Sequence, residues 1–174
     1  MARLPYVERS ASARVEDLYG RVGRLGRPVL NLYKVLANQP AALEAFLGMS
    51  TYVRSGSTLD PRLRELIILA TAQELGQEYE LLQHIDIAKK VGVPDVKIDA
   101  VTGGSVEALD AAEQCAIVFA RQVARTRATD DATFDCLRSH FSNETIIDIV
   151  VTAAWYHLCA AILGPLQVER EASE

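Results

Sequence analysis

The sequence has few cysteines and no concentrated positive charge. Its three cysteines, Cys115, Cys136 and Cys159, are odd in number and widely spaced. This arrangement suits neither a disulfide framework nor a Cys-x-x-Cys redox or zinc pair, so we expect packing residues in a reducing compartment. The chain carries 18 basic and 23 acidic residues, with a net charge of -5. Because no run of Lys or Arg can follow a phosphate backbone, nucleic acid is not an expected partner.

Long uninterrupted apolar runs are also missing. The first residues, MARLPYVERS, carry charges and a proline where a secretory signal would need an apolar stretch. No later stretch approaches membrane-spanning length without a polar interruption. We therefore expect a cytoplasmic protein that does not enter a membrane.

The alternating pattern of half-buried strands is absent, whereas apolar residues recur at intervals of three and four. The predicted fold class is all-α, a helical bundle of about eight helices. With 49% hydrophobic residues the chain can bury one ordinary core, so residues 1–174 are predicted to form a single domain. Within it, residues 1–27 form an N-terminal helical extension and residues 166–174 a solvated tail.

The clearest helix signal is Asp60-Pro61, because Asp accepts otherwise unsatisfied amide protons and Pro has none to satisfy at the first helical position. This helix should reach about Leu75, and the next should span about 78–91. Residues 64–72 (RELIILATA) are weakly echoed at 147–155 (IDIVVTAAW), which indicates an old helix-hairpin repeat.

Glu65 is the first candidate for chemistry. At helical spacing its neighbours include Ile68, Leu69 and Ala72, so the pattern places a carboxylate on an apolar face. A carboxyl group buried in this way has a raised pKa and is a usable general acid or base. The structural alternative is a salt bridge to a nearby Arg at a helix–helix seam.

His84 is the second candidate. It lies on an apolar face of the following helix, and Glu80, one turn earlier, can hydrogen-bond one ring nitrogen. The carboxylate would fix the imidazole tautomer and leave the other nitrogen to take or give a proton. Because Glu78 is also close by, we favour a functional role for His84 over the alternative of a core histidine whose hydrogen bonds are merely satisfied.

Three further residues complete the predicted site. Tyr79 supplies a phenolic donor near the acids, although a tyrosine in a bundle more often packs its ring. His157 on the last helix can reach the same pocket or simply fill the core. We assign His157 and Arg64 to substrate binding, and His84, Glu80, Glu65, Glu78 and Tyr79 to catalysis.

Residues 64–93, RELIILATAQELGQEYELLQHIDIAKKVGV, resemble the core segment of the carboxymuconolactone decarboxylase and alkylhydroperoxidase D-like superfamily. The peroxidase branch carries a glutamate, a Cys-x-x-Cys pair and a histidine four residues after the second cysteine. Glu65 and His84 match its relay positions, but Gln77 and Glu80 replace the cysteines. Thiol peroxidase chemistry needs a thiolate, which this motif lacks.

The run Glu78-Tyr79-Glu80-Leu81-x-x-His84 is closer to the decarboxylase branch, which opens lactone acids by decarboxylation. The resemblance implies a homotrimer or homohexamer. It favours a cofactor-independent lyase, hydrolase or isomerase acting on a small polar lactone or oxo acid. Two alternatives stay open: a non-catalytic oligomer that binds a ligand between subunits, and a metal site of Glu65, Glu80 and His84. Our prediction contains neither cofactor nor metal.

Overall fold

The computed structural model describes residues 2–171, and within them every regular element is helical. A short 3-10 turn (Arg9–Ala11) precedes the first α-helix and a π-helical turn (Tyr52–Gly56) precedes the fourth. The nine α-helices of this described part confirm the all-α prediction. They are α1 Ala13–Arg24, α2 Asn31–Leu36, α3 Pro40–Thr51, α4 Pro61–Glu74, α5 Glu78–Lys90, α6 Asp95–Thr102, α7 Ala111–Thr126, α8 Asp131–His140 and α9 Asn143–Leu166.

The described chain divides into two compact units. One contains the residues up to Arg54 together with those from Ile162 onward, and the other contains Ser55–Ala161. The extent of a single domain over the whole chain stays a prediction.

The first unit contains α1, α2 and α3. Its core side chains lie on the inner faces of these helices, among them Val15, Leu18, Leu32 and Leu43. The residues after α9 return to this unit, because the backbone amide of Asn31 donates to Glu171 Oε1 at 2.6 Å. The predicted solvated tail is therefore hydrogen-bonded as far as Glu171, and residues 172–174 lie outside the described residues.

Tyr19 anchors α1 within this unit. Its hydroxyl donates to the carbonyl of Val7 at 2.8 Å, and its side chain is almost fully buried. Burial, reinforced by the charge of Glu8, raises the pKa of Tyr19 to about 12. The folded protein therefore keeps the neutral phenol where an unfolded chain would already ionise.

Alkaline pH should destabilise the protein through Tyr19. Because the pKa of Tyr19 is raised on folding, its stabilising effect is complete below about pH 10 and is lost as the pH rises toward about 12. Thermal unfolding followed by circular dichroism at pH 8 and pH 11 measures this loss. Tyr19→Phe should lower stability at pH 8 by about 1 kcal/mol and flatten the alkaline fall. Tyr52→Phe, at a 40% exposed position, should keep the alkaline fall. An equal alkaline fall in both variants would contradict the assignment.

The second unit is built around α4. This helix packs against α5, α6 and α7, and α7 packs against α8. Its residues from Glu65 to Ala72 are all buried, which explains why the sequence reads as a nearly continuous apolar run there. The apolar core of the unit includes Leu66, Ile67, Leu69, Ile117 and Ile149.

The predicted helix boundaries around α4 and α5 are reproduced closely. Asp60 accepts from the backbone amides of Arg62 at 2.9 Å and Leu63 at 3.3 Å, with Pro61 at the first helical position. After α4 the chain turns through Gly76, whose φ of 61° is a left-handed conformation that glycine adopts without strain. This turn lets α5 fold back against α4.

Helix α9 is the longest helix of the described chain. It has 24 residues and is, within the described chain, the helix that passes the length and hydropathy test for a membrane span. We expected polar residues to interrupt any stretch of this length, and within α9 these residues are Asp148, Thr152 and His157. Half of its most apolar window is buried inside the protein, as in the core helix of a globular bundle. Such a helix is weak evidence for a membrane.

Candidate active site

The site is built on α4 and α5, which present acidic side chains to one imidazole. Glu65 lies in the second turn of α4, within its buried stretch, and its side chain is 3% exposed. Water cannot solvate this carboxylate, so a folded protein must supply its partners.

His84 is the principal partner of Glu65. Its ring is fully buried on α5, and Nδ1 lies 2.5 Å from Glu65 Oε2. On the other side of the ring, Nε2 lies 3.5 Å from Oε2 of Glu80, which is one helical turn earlier on α5. Both ring nitrogens of His84 therefore face buried carboxylates.

The two carboxylates are not equivalent. From the sequence we paired His84 with Glu80 as its orienting residue, whereas the structure places Glu65 about an ångström closer. Because the shorter contact fixes the ring, Glu65 is the residue that holds the imidazole in position.

Arg64 lies beside this cluster. Its Nε is 3.5 Å from Glu65 Oε1, and its side chain is 12% exposed. The salt bridge considered as the structural alternative for Glu65 is therefore present in addition to the contact with His84. Each oxygen of the Glu65 carboxylate faces a different nitrogenous partner.

Helix α9 contacts the His84 ring through Tyr156. The two rings meet edge to face, with their centroids 4.9 Å apart and their planes at 86°. Tyr156 is 2% exposed. From the sequence we expected its neighbour His157 to reach this pocket, so the residue that contacts His84 was missed.

Tyr156 belongs to a buried polar stripe on α9 that also contains Asp148 and Thr152. The three residues are spaced four apart, which places them on one face of the helix. Asp148 accepts from the backbone amide and hydroxyl of Thr58 at 2.7 and 2.8 Å. This spacing of polar residues in an otherwise apolar helix is the signal that could have identified the stripe.

The remaining predicted residues lie around the cluster. Tyr79 is buried on α5 beside Glu80, whereas Glu78 is exposed in the first turn of the same helix. His157 is half-buried, and its Nδ1 has no hydrogen-bond partner among the described residues. The structure therefore brings together Glu65, Glu80, His84 and Arg64, while the roles assigned to the other three stay predictions.

Two of the three cysteines differ from the expectation based on the sequence. Cys115 on α7 and Cys136 on α8 form a disulfide, although we expected all three cysteines to be packing residues. The hairpin of α7 and α8 brings together residues that are 21 positions apart, and sequence spacing alone does not show this. Cys159 lies outside the disulfide and is buried on α9. At the positions of the missing Cys-x-x-Cys pair, Gln77 caps α5 by accepting from the amide of Tyr79, and Glu80 faces His84.

Both the sequence and the helical fold resemble those of known proteins. The sequence model described as "Carboxymuconolactone decarboxylase family" matches residues 40–126, half of the 174-residue chain. The chain therefore belongs to the carboxymuconolactone decarboxylase family, as the resemblance implied. No curated protein shows a significant match to it.

Solved structures share the fold over nearly the whole chain. An uncharacterized peroxidase-related protein from Silicibacter sp. TM1040 is 23% identical, with a TM-score of 0.83 over 98% of this chain and 91% of its own. The debrominase Bmp8, in a complex with 2,3,4-tribromopyrrole, is 20% identical, with a TM-score of 0.84 over 99% and 93%. A peroxidase-related protein from Ralstonia eutropha, described as an alkylhydroperoxidase AhpD core, is 20% identical, with a TM-score of 0.83 over 98% and 92%. At these identities the likeness shows the fold alone.

Proposed function

We propose that the protein is a cofactor-independent enzyme that transfers a proton on a small polar lactone or oxo acid, as a lyase or decarboxylase, a hydrolase or an isomerase. The observation that carries the proposal is the buried His84 ring with carboxylates at both nitrogens. An imidazole held in one orientation by a buried acid is a recognised general acid or base. The proposal excludes thiol peroxidase chemistry at this site, because Gln77 and Glu80 stand where that chemistry needs cysteines.

The contacts around His84 support a role for each residue of the cluster. In the proposed reaction His84 takes or gives the substrate proton at Nε2, and Glu80 beside that nitrogen relays it. Glu65 orients the ring through Nδ1. Loss of carbon dioxide or ring opening develops negative charge on the substrate, which protonated His84 or the Tyr79 phenol would stabilise. Arg64 is positioned to bind a substrate carboxylate, because its side chain lies at the edge of the cluster.

Proton transfer can be tested without knowing the final product. The folded protein is incubated in D2O with a panel of small lactones and oxo acids, and NMR follows deuterium incorporation beside the carbonyl and the appearance of new products. Faster exchange than in protein-free buffer, for a defined subset of the panel, is the expected result. If the protein catalyses neither exchange nor turnover of any compound in the panel, the result contradicts the proposed enzymatic function.

One observation favours a second candidate function, a non-catalytic ligand-binding protein. His84 is fully buried and its ring packs on Tyr156, while three surface cavities of about 290 to 390 Å³ are lined by other residues. In this case the acids and the histidine specify packing. Saturable binding of a panel compound, without exchange or turnover and with equal affinity in His84→Gln, would support this function.

We also propose that the protein forms a homo-oligomer, a trimer or hexamer, in the cytoplasm. The support is an exposed apolar stripe on α9, in which Ile147 is 58% and Leu158 45% exposed and Ala154, between them, is exposed as well. A continuous apolar stripe is poorly suited to water and can be buried against a second copy of the chain.

A charge placed in the α9 stripe should disrupt this assembly. Leu158→Glu is expected to reduce the molar mass measured by light scattering after size-exclusion chromatography, because an unpaired carboxylate would be buried in the interface. Val96→Glu, at a 62% exposed apolar position on α6, is the matched control and should keep the mass of the unaltered protein. An unaltered protein that elutes as a monomer would contradict the proposal.

A further inference from the structure

A surface cleft opens between α7 and α8 at the disulfide. Its volume is about 390 Å³, and every residue that lines it comes from these two helices. The polar and sulfur-containing members of the lining are Gln114, Cys115, Thr133, Cys136 and His140. Since Glu65, Glu80 and His84 lie on α4 and α5, the cleft is separate from the candidate active site.

The two sulfurs differ in accessibility. The Cα atoms of Cys115 and Cys136 are 5.7 Å apart, within the usual range for a disulfide. Cys115 is 5% exposed, whereas Cys136 is partly exposed toward the cleft. A thiol that enters the cleft therefore meets the sulfur of Cys136 first.

His140 completes the arrangement. It lies one helical turn after Cys136 on α8, and a ring nitrogen lies within 4.8 Å of both sulfurs. An imidazole at this distance can give a proton to a departing thiolate. A disulfide that serves only as a cross-link needs neither an open cleft nor this neighbour.

We propose that Cys115–Cys136 is a redox-active disulfide that exchanges with a low-molecular-weight thiol bound in this cleft, with His140 as the proton donor. The incoming thiolate attacks Sγ of Cys136 and forms a mixed disulfide. The bond between the two protein sulfurs breaks, its electron pair goes to Sγ of Cys115, and His140 protonates that sulfur. Without this proton, the buried Sγ of Cys115 would leave as a thiolate whose charge is unpaired.

A second thiol completes the exchange. Its thiolate attacks the external sulfur of the mixed disulfide, which releases Cys136 as a thiol after protonation. Two low-molecular-weight thiols are thereby oxidised to one disulfide, and the protein disulfide is reduced to two thiols. The external thiol is the only reductant that the sequence of steps needs.

The test is reduction of the folded protein. Excess dithiothreitol is added, aliquots are quenched in acid and alkylated, and mass spectrometry counts the labelled cysteines while circular dichroism follows the fold. Cys115 and Cys136 are expected to become labelled with the helical signal intact. The rate should be the same in Cys159→Ser, because Cys159 lies outside the disulfide. Reduction that begins only when the helical signal is lost would show a structural cross-link and overturn the proposal.

The role of His140 is tested by rate and pH profile. His140→Gln should slow exchange by about tenfold to a hundredfold near neutral pH and remove the histidine-dependent limb of the pH profile. Arg138→Gln removes an exposed cation from the same turn of α8 and should leave the rate unchanged. Equal rates in the two variants would overturn the assignment of His140.

A metal site is the competing outcome. Once reduced, the two thiolates and His140 form a set that borderline ions such as Zn²⁺ prefer. Native mass spectrometry of the reduced protein with added Zn²⁺ distinguishes the two functions. One tightly held ion per chain, with thiols that neither react nor reoxidise until a chelator is added, would overturn the redox proposal. Thiols that reoxidise freely in the presence of Zn²⁺ would support it.

Discussion

Replacing His84 by Gln is expected to slow proton exchange on the substrate by about 10²- to 10⁴-fold, the usual contribution of a positioned general acid or base. Glutamine keeps a polar side chain near Glu65 but cannot take a proton at neutral pH. The rate of deuterium incorporation, measured by NMR with a compound that the unaltered protein exchanges, gives this factor directly.

Two further variants test whether the loss of exchange is specific to His84. Glu65→Gln keeps the shape of the orienting residue but removes its charge, and should slow exchange less than His84→Gln does. Glu107→Gln alters an exposed carboxylate between α6 and α7 and should have no effect. If His84→Gln retains the helical signal and the full exchange rate, His84 is not the proton-transfer residue.

Breaking the buried Glu65–His84 pair should cost about 3–5 kcal/mol of unfolding free energy. In Glu65→Met the side chain volume is kept, but His84 loses the carboxylate 2.5 Å from its Nδ1. Water cannot reach the buried ring to replace that partner. Urea unfolding followed by circular dichroism measures the change, and the melting temperature should fall by about 10 °C or more.

Removing both partners should restore much of the lost stability. In Glu65→Met with His84→Phe, an aromatic ring stays against Tyr156 and no buried group of the pair is left unsatisfied. With the single variant His84→Phe also measured, the double-variant change minus the sum of the two single-variant changes gives the interaction. Glu107→Met, at an exposed position, should change stability by less than about 0.5 kcal/mol. A single variant Glu65→Met as stable as the unaltered protein would show that the pair does not stabilise the fold.

These two experiments separate function from structure at the same residues. A loss of exchange in His84→Gln with little loss of stability would indicate a catalytic imidazole. A loss of stability in Glu65→Met without any catalysed exchange in the unaltered protein would favour the binding function. The redox proposal is independent of both outcomes, because the cleft at Cys115–Cys136 shares no lining residue with the Glu65–His84 site.

Local signals in the sequence determined much of the site's framework. Asp60-Pro61 fixed the start of α4 because capping and the missing amide proton of proline act within one turn. Helical periodicity then placed Glu65 and His84 on apolar faces, and both side chains are buried. The motif that carries them also identified the family, which the match over residues 40–126 confirmed.

Contacts between distant segments were decided only by the tertiary structure. Helical spacing relates Glu80 to His84 because both lie on α5, but the closer partner Glu65 comes from α4 across a turn. Tyr156 reaches His84 from α9, more than seventy residues away along the chain. Cys115 and Cys136 likewise meet because α7 and α8 pack together. The sequence by itself determined the helices and their buried faces, since these depend on neighbours within a few turns. Which faces meet depends on the packing of the whole unit, and that packing selected the partners of His84 and joined the two cysteines.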